Sequence, residues 1–321
     1  MHTIVRGACL GLLLAVWGSA RAQQIADPDF DAAVAKPSYV GGGPTVAIDE
    51  AHANFHTAGG NYKPFAELLR NDGYNVVRLE QKLDAHALDG VDVLVVANAN
   101  AGNFTDPAFT EEECDAVADW VRAGGSLLLI ADHAPYGAST ANLAARFGIG
   151  MGRGWVFDVT SGRVSTQLTF SAADGSLGSH PVLRGREAGE EVRVVRSFTG
   201  QSLGVPLDAT VLLALSPTAR EAATTDDLDA EAAALSASAA AGPAESRSVS
   251  VAGRAQGLAL RFGQGRVMAF GEAAMFSAQV ATLQGQNGPV TIKAGMNVPG
   301  TDNRQLALNV VHWLSGLLEA E

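Results

Sequence analysis

Two apolar runs set the architecture of this chain: VDVLVVANA at residues 91–99 and SLLLIAD at residues 126–132. Runs this short and this continuously apolar suit strands buried on both faces of a parallel sheet. Parallel neighbours need a crossover connection, and the residues between the runs supply one. Thr110 and Glu113 make a capping box, Cys114, Val117 and Val121 recur at helical spacing, and Gly124-Gly125 ends the helix. Upstream, PTVAIDE reads as a strand, NYKPFAELLRNDG as a helix with Pro64 near its start and Gly73 past its end, and YNVVRLE as a strand. A further helix is expected around STANLAARFG. The alternation predicts an α/β fold built of βαβ units, with a mainly parallel sheet and helices on both faces.

The second half is richer in strands: RVSTQLTF, EVRVVRSF, ATVLLAL, and GLALRFGQGRVMAFGE as a hairpin turning at Gly263-Gln264-Gly265. DNRQLALNVVHWLSGLL closes the pattern as an amphipathic helix with Leu306, Val310, Trp313, Leu314 and Leu317 on one stripe. Residues 219–248 are low in complexity and rich in Ala, Ser and acid, so a disordered or loosely helical surface insertion is expected there. Residues 23–40 read as a polar leader, and residues 41–320 as a single α/β domain. No internal repeat is visible.

The first 22 residues combine a basic start at Arg6, an apolar run from Ala8 to Trp17 and the small-residue ending Ala20-Arg21-Ala22. That is the pattern of a cleavable secretory signal, which predicts a periplasmic or secreted bacterial protein. Cys9 lies at the start of the apolar run rather than its end, which argues against a lipid anchor. No later run approaches the length of a membrane span. Without the signal, 20 Lys+Arg (22 less Arg6 and Arg21) face 34 Asp+Glu, a formal charge of −14 that repels phosphate backbones and argues against nucleic acid as a partner. One cysteine, Cys114, remains, so no intrachain disulfide is expected and the core must hold the fold.

Ligands of doubly wound sheets bind outside the carboxyl ends of the strands. Several predicted strands end in polar or titratable clusters: Asp49, Glu50, His52 and His56 after the first, Asn98 and Asn100 after the third, Asp132 and His133 after the fourth, and Glu272 after a late strand. If those strands are parallel neighbours, the groups converge on one rim; the alternative is a set of separate solvated loops. His133 stands at a strand-to-helix turn, where α/β enzymes present a base or nucleophile, though Asp132 beside it could simply cap the next helix. The spacing His52-x-x-x-His56 makes these two histidines candidates to hold a divalent metal such as zinc, iron or manganese. Against that, Asn54 and Gly59-Gly60 disfavour a helix there, Asp49 could cap a turn, and a metal-free acid/base or sugar-binding role is also open.

GQSLG at residues 200–204 formally matches a nucleophile elbow, but a further strand follows rather than a helix, which argues against Ser202 as a nucleophile. Cys114 on its apolar stripe reads as core. Gly41 to Gly43 precede their strand, whereas phosphate loops follow theirs. His86 and His312 are expected at the surface.

VADWVRAGGSLLLIADHAP resembles the helix, paired glycines and histidine-ended strand of ThuA-like proteins. HPVLRG, His180 to Gly185, is similar to their His-Pro-Ile element, and GQGRVMAFGE to their late Gly-Arg-Val strand. The resemblance spans most of Thr45 to Leu317 and implies the class I glutamine amidotransferase-like superfamily, with a flavodoxin-like three-layer sandwich. It marks His133 and His180 as ligand-site candidates. DEAHANFHTAGG and DNRQLALN also resemble elements shared by a group of secreted bacterial proteins, a kinship that implies no activity. Two departures matter. The superfamily's amidotransferases carry a cysteine after the strand that Asp132-His133 ends here, which argues against glutaminase chemistry. The family's late strand usually ends Gly-His, where this chain has Gly271-Glu272.

The expectation is an exported protein whose rim binds a small polar or carbohydrate-like ligand and hydrolyses or otherwise transforms it. His133 would be the acid or base, Asp132 and Glu272 would orient hydroxyls, and Asp49, Glu50, Asn98, Asn100 and His180 would complete the binding set. The rival is a non-catalytic ligand- or glycan-binding module of the same fold.

Overall fold

The computed structural model describes residues 24–103, 105–237, 246–285 and 288–318. The expected signal segment, residues 1–22, lies outside them. The main sheet contains β1 (Thr45–Asp49), β2 (Asn75–Leu79), β3 (Val93–Ala97), β4 (Ser126–Ile130), β5 (Ala255–Phe262) and β6 (Gly265–Phe270). Its order is β2-β1-β3-β4-β6-β5, extended by Leu203–Gly204 and Gly150–Met151, with Thr210–Ala214 also paired to β5. The neighbours from β2 to β6 are parallel, and β5 runs back against β6 from a turn at Gly263-Gln264, where Phe262 pairs with Gly265. This is a flavodoxin-like α/β sandwich.

The apolar strands alternate between two cores, which is why they read as continuous runs. Val93, Val95, Ala97, Leu128, Ile130, Met268 and Phe270 face α1 (Lys63–Asn71) and α3 (Asn303–Leu314), against Phe65, Leu69, Leu306 and Val310. Leu94, Val96, Leu127, Leu129 and Ala269 face α2 (Glu111–Arg122), against Val117 and Val121. Each fully buried Leu, Val or Phe contributes roughly 1.5–3 kcal/mol, so the two layers supply the stability that no disulfide provides. α2 starts on the expected capping box, with Thr110 and Glu113 bonded reciprocally. Cys114 is buried in this layer, and burial pushes its thiol up to about 12.

The strand-rich half differs from the expected pattern. RVSTQLTF is not one strand: Arg163–Ser165 pairs with Trp155–Thr160, while Thr169–Ser171 pairs with Val194–Arg196 in another sheet. A long hairpin, Ala278–Gly285 and Gly288–Gly295, carried no periodic signal that singled it out. Residues 219–248 are less detached than an excursion. Arg220–Ala222 is the inner strand between Trp155–Phe157 and Ser248–Ser250, and Thr225–Ala237 is a helix; residues 238–245 lie outside the described set.

The leader is part of the fold. Gln24–Ala26 pairs with the long hairpin, Ala32 is buried, and Ser38 bonds Asp72 and His312. This strap crosses the outer side of α3, so His312 is buried rather than exposed, and its Nε2 lies 2.6 Å from Asp72 Oδ2. No helix among the described residues is long and apolar enough to cross a membrane.

Candidate functional site

The order β2-β1-β3 reverses the direction of winding, so the crevice expected for a ligand opens beyond the carboxyl ends of β1 and β3. The loop after β1 is sealed mainly onto itself and its neighbours. His52 Nδ1 lies 2.9 Å from Asp49 Oδ1, and its Nε2 lies 3.0 Å from Glu113 Oε1. Burial alone would lower the imidazole's pKa, but the hydrogen bonds and charges of Asp49 and Glu113 outweigh it and raise the value. Each ring nitrogen is thus engaged by a carboxylate, Nδ1 by Asp49 and Nε2 by Glu113, so neither is turned toward a shared site with His56.

The rest of the loop is scaffold. Asn54 donates to Asp49 Oδ2 at 3.0 Å. Glu50 accepts Ala58 N–H at 2.8 Å and pairs with Arg78 at 2.7 Å. Asn100 donates to Ala53 carbonyl at 2.7 Å. His56 is buried and lies over Tyr62, ring centroids 4.5 Å apart, and burial lowers its pKa to about 3. The two histidines thus serve different neighbours, and the described residues contain no group of three or more His, Cys, Asp or Glu arranged to hold a metal. The metal reading of His52 and His56 does not fit this donor set.

A second cluster forms where β4 and β6 end. Ile130 pairs with Phe270, so Asp132 and Glu272 occupy equivalent places two residues beyond that pair on adjacent strands. Asn98, in the left-handed region at φ 49°, turns so that its Oδ1 accepts the Asp132 N–H at 2.8 Å. Glu272 is fully buried and accepts N–H groups from Ala274 at 2.9 Å and Met275 at 2.8 Å. Burial, then the charge of Asp132, pushes the Glu272 carboxyl well above the usual range. Desolvation also raises Asp132, against the opposing effect of His133. Tyr62 donates its hydroxyl to the Ala273 carbonyl at 3.0 Å and so braces this turn.

His133 and Asp132 are half-buried, unlike Glu272. The His133 ring stacks on Trp155 at 5.1 Å and 20°, and its Nδ1 lies 2.7 Å from the Ala134 carbonyl. That contact places the proton on Nδ1 and leaves Nε2 as the basic atom. Tyr136 and Phe55, whose ring is 52% exposed, extend this aromatic edge at 6.4 Å. The arrangement offers a base, a carboxyl and aromatic faces at one mouth.

The predicted rim therefore divides. Asp132, His133 and Glu272 lie at neighbouring strand ends with Asn98 beside them, whereas Asp49, Glu50, His52 and Asn100 hold the adjoining loop. His180 lies elsewhere: it caps Pro181–Arg184 and packs on Trp313 at 5.0 Å. The Trp313 carbonyl accepts from Arg266, which pairs with Ser126 at the start of β4, so His180 belongs to the opposite end of the sheet. Its pKa is lowered to about 4, chiefly by burial.

Glu113, Tyr62, Tyr136 and Trp155 were not singled out as site residues. Glu113 carries a capping signal, which hides its second role; the aromatic residues carry none. GQSLG reaches the rim by its backbone: Val156 N–H donates to Gly200 carbonyl at 2.7 Å, and Gln201 N–H to Gly271 carbonyl at 2.8 Å. A Cβ on Gly200 would lie 2.4 Å from the Gly271 carbonyl oxygen, so only glycine fits there. Ser202 is buried, donates to Glu221 and receives Arg254 at 2.7 Å, which makes it structural.

No family model matches the chain, and no curated protein matches it. Among solved structures, it is similar to the mmIFT52 N-terminal domain, at 15% identity over 85% of this chain and 97% of that one, with a TM-score of 0.54. A ThuA-like protein from Bacteroides uniformis is 13% identical over 88% and 93%, TM-score 0.42. An exo-beta-1,4-mannosidase, Op5Man5 from an Opitutaceae bacterium, is 12% identical over 72% of this chain and 31% of its own, TM-score 0.37. The last two likenesses carry no argument about activity. At such identities the likeness is one of fold, and the first supports the α/β sandwich that the strand order already defines.

Proposed function

We propose that the mouth beyond β4 and β6 binds a small polar, carbohydrate-like ligand and hydrolyses it in an exported protein. The observation that carries this reading is the stacking of His133 on Trp155 beside the half-buried Asp132. Sugars present hydroxyls to carboxyl groups and C–H faces to aromatic rings, and this mouth has both. In this reading His133 Nε2 takes a proton from the attacking water and returns it to the leaving oxygen as the bond within the ligand breaks, while Asp132 binds a hydroxyl with Glu272 at the equivalent place on the adjacent strand. Asn98 fixes the turn that presents Asp132.

The second reading is a binding module without turnover, favoured by Asp132-His133 standing at the strand-end turn where the superfamily's amidotransferases carry their cysteine. A panel of chromogenic glycosides and oligosaccharides, followed by product release and by calorimetry, separates the two. Turnover lost in His133→Ala with binding retained supports the hydrolase. Binding without turnover in the unaltered protein supports the module. Unchanged turnover and affinity in both His133→Ala and Trp155→Ala would remove the mouth as the site.

A further inference from the structure

Asp132 and Glu272 form an unusual pair for their surroundings. The pairing of Ile130 with Phe270 places them side by side on adjacent parallel strands, which lie about 4.8 Å apart. Glu272 has no exposure, and Asp132 has little. The groups facing them are Tyr62 from the turn before α1, His133 and Tyr136 from the turn after β4, Asn98 after β3, and backbone amides of Thr199, Ala273, Ala274 and Met275. Among the described residues, neither carboxyl pairs with a lysine or arginine. Two carboxyls at neighbouring strand ends, one of them fully buried and with no cation beside them, do not both keep a charge.

We infer that Asp132 and Glu272 do not both ionise at neutral pH: the fully buried Glu272 keeps its proton and leaves the half-buried Asp132 as the single charge of the pair, able to accept a hydrogen bond at the mouth. The backbone N–H groups that converge on Glu272 occupy its acceptor sites, so its influence on the mouth runs through Asp132. Tyr62 supports this arrangement as a neutral phenol, because burial, then Glu272 and Asp132, raises its pKa well above the ordinary value. A proton is thus stored at the mouth without a histidine supplying it. The charge state depends on the two carboxyls alone; its use toward a ligand rests on the reading of the mouth given above.

The test is a carboxyl titration of the full chain without ligand, labelled with 13C at the Asp and Glu side-chain carboxyls. The signal lost in Glu272→Gln identifies Glu272. One carboxyl of the pair is expected to stay protonated at pH 7. Asp132→Asn is expected to lower the Glu272 midpoint by about one pH unit or more, since it removes the interacting charge. Glu272→Gln replaces one neutral group by another and should leave the Asp132 midpoint nearly unmoved. If Glu272→Gln fails to fold, Asp132→Asn, at the half-buried member, keeps the test open. Both carboxyls ionised at pH 7, or a Glu272 midpoint unmoved in Asp132→Asn, would overturn the inference. Because no ligand enters this measurement, its outcome is independent of whether the mouth binds or hydrolyses anything.

Discussion

Glu113 starts α2 and fixes His52 with the same carboxylate: one oxygen accepts Thr110 N–H at 3.0 Å, and the other lies 3.0 Å from His52 Nε2. A local cap is thereby joined to the loop after β1. Breaking this buried pair leaves a charge without its partner. Glu113→Ala should destabilise the protein by about 3–5 kcal/mol in urea unfolding. Glu113→Gln, which keeps the cap, should cost less. Equal losses in the two variants would show that the cap adds nothing beyond the charge pairing with His52.

The same pair gives stability a pH dependence with a definite sign. His52 is raised, so its contribution is complete below the ordinary value of 6.5 and is lost as pH rises through its folded value. Glu113 is lowered: burial alone would raise it, but Thr110 and His52 prevail. Its contribution is present above 4.5 and lost as pH falls through its folded value. The difference in urea-unfolding free energy between the protein and His52→Gln should hold steady between these limits and shrink on their alkaline side. A variant with an unchanged alkaline slope would assign that slope to other groups.

His56 and His180 act in the opposite sense. Each is neutral in the fold and binds a proton more readily when unfolded, at the ordinary value of 6.5. Stability should therefore fall as pH drops from 6.5 toward about 3 for His56 and about 4 for His180. The loss is on the order of a few kcal/mol. His180→Asn keeps a capping side chain and should flatten the upper part of this decline in thermal melts. An unaltered melt-versus-pH curve would show that folding leaves the proton affinity of His180 unchanged.

At the mouth, His133→Ala should lower turnover by about 100-fold or more, the usual range for a lost acid or base, with little change in melting temperature. Trp155→Ala should weaken ligand affinity instead. Steady-state kinetics and calorimetry on the same preparations distinguish the two effects.

Ser202→Ala tests the elbow resemblance directly. With its hydroxyl committed to Glu221 and Arg254, the substitution should cost about 1–3 kcal/mol of stability and leave turnover within a few-fold. Abolished turnover in a folded Ser202→Ala protein would return it to the candidates for nucleophile.

What could be read from the chain followed how local its cause was. The unit from Val91 to Asp132 was legible because strand periodicity, the Thr110–Glu113 box and paired glycines all act within a few residues. His312 was not, because its burial comes from Ser38 and Asp72, distant in sequence. The short strands of the second half were blurred for the same reason, since their pairing rather than their composition defines them. Within the site, position predicted Asp132, His133 and Glu272 at neighbouring strand ends. Nothing in DEAHANFH indicated that Glu113 would reach across to His52 and turn a candidate metal pair into an ion-paired scaffold.

The pairing of Gln24 with Ala281 gives the fold a schedule. During synthesis, the first described strand waits for its partner until most of the chain has been made. Closing so long a loop carries an entropic cost that the contact recovers only after the intervening sheet has formed. A chain interrupted before the long hairpin would leave this edge unpaired and would lack α3, the helix that the strap lies over. Completion of the molecule is therefore tied to the arrival of its last third, which allows the strap to close over a sheet already built.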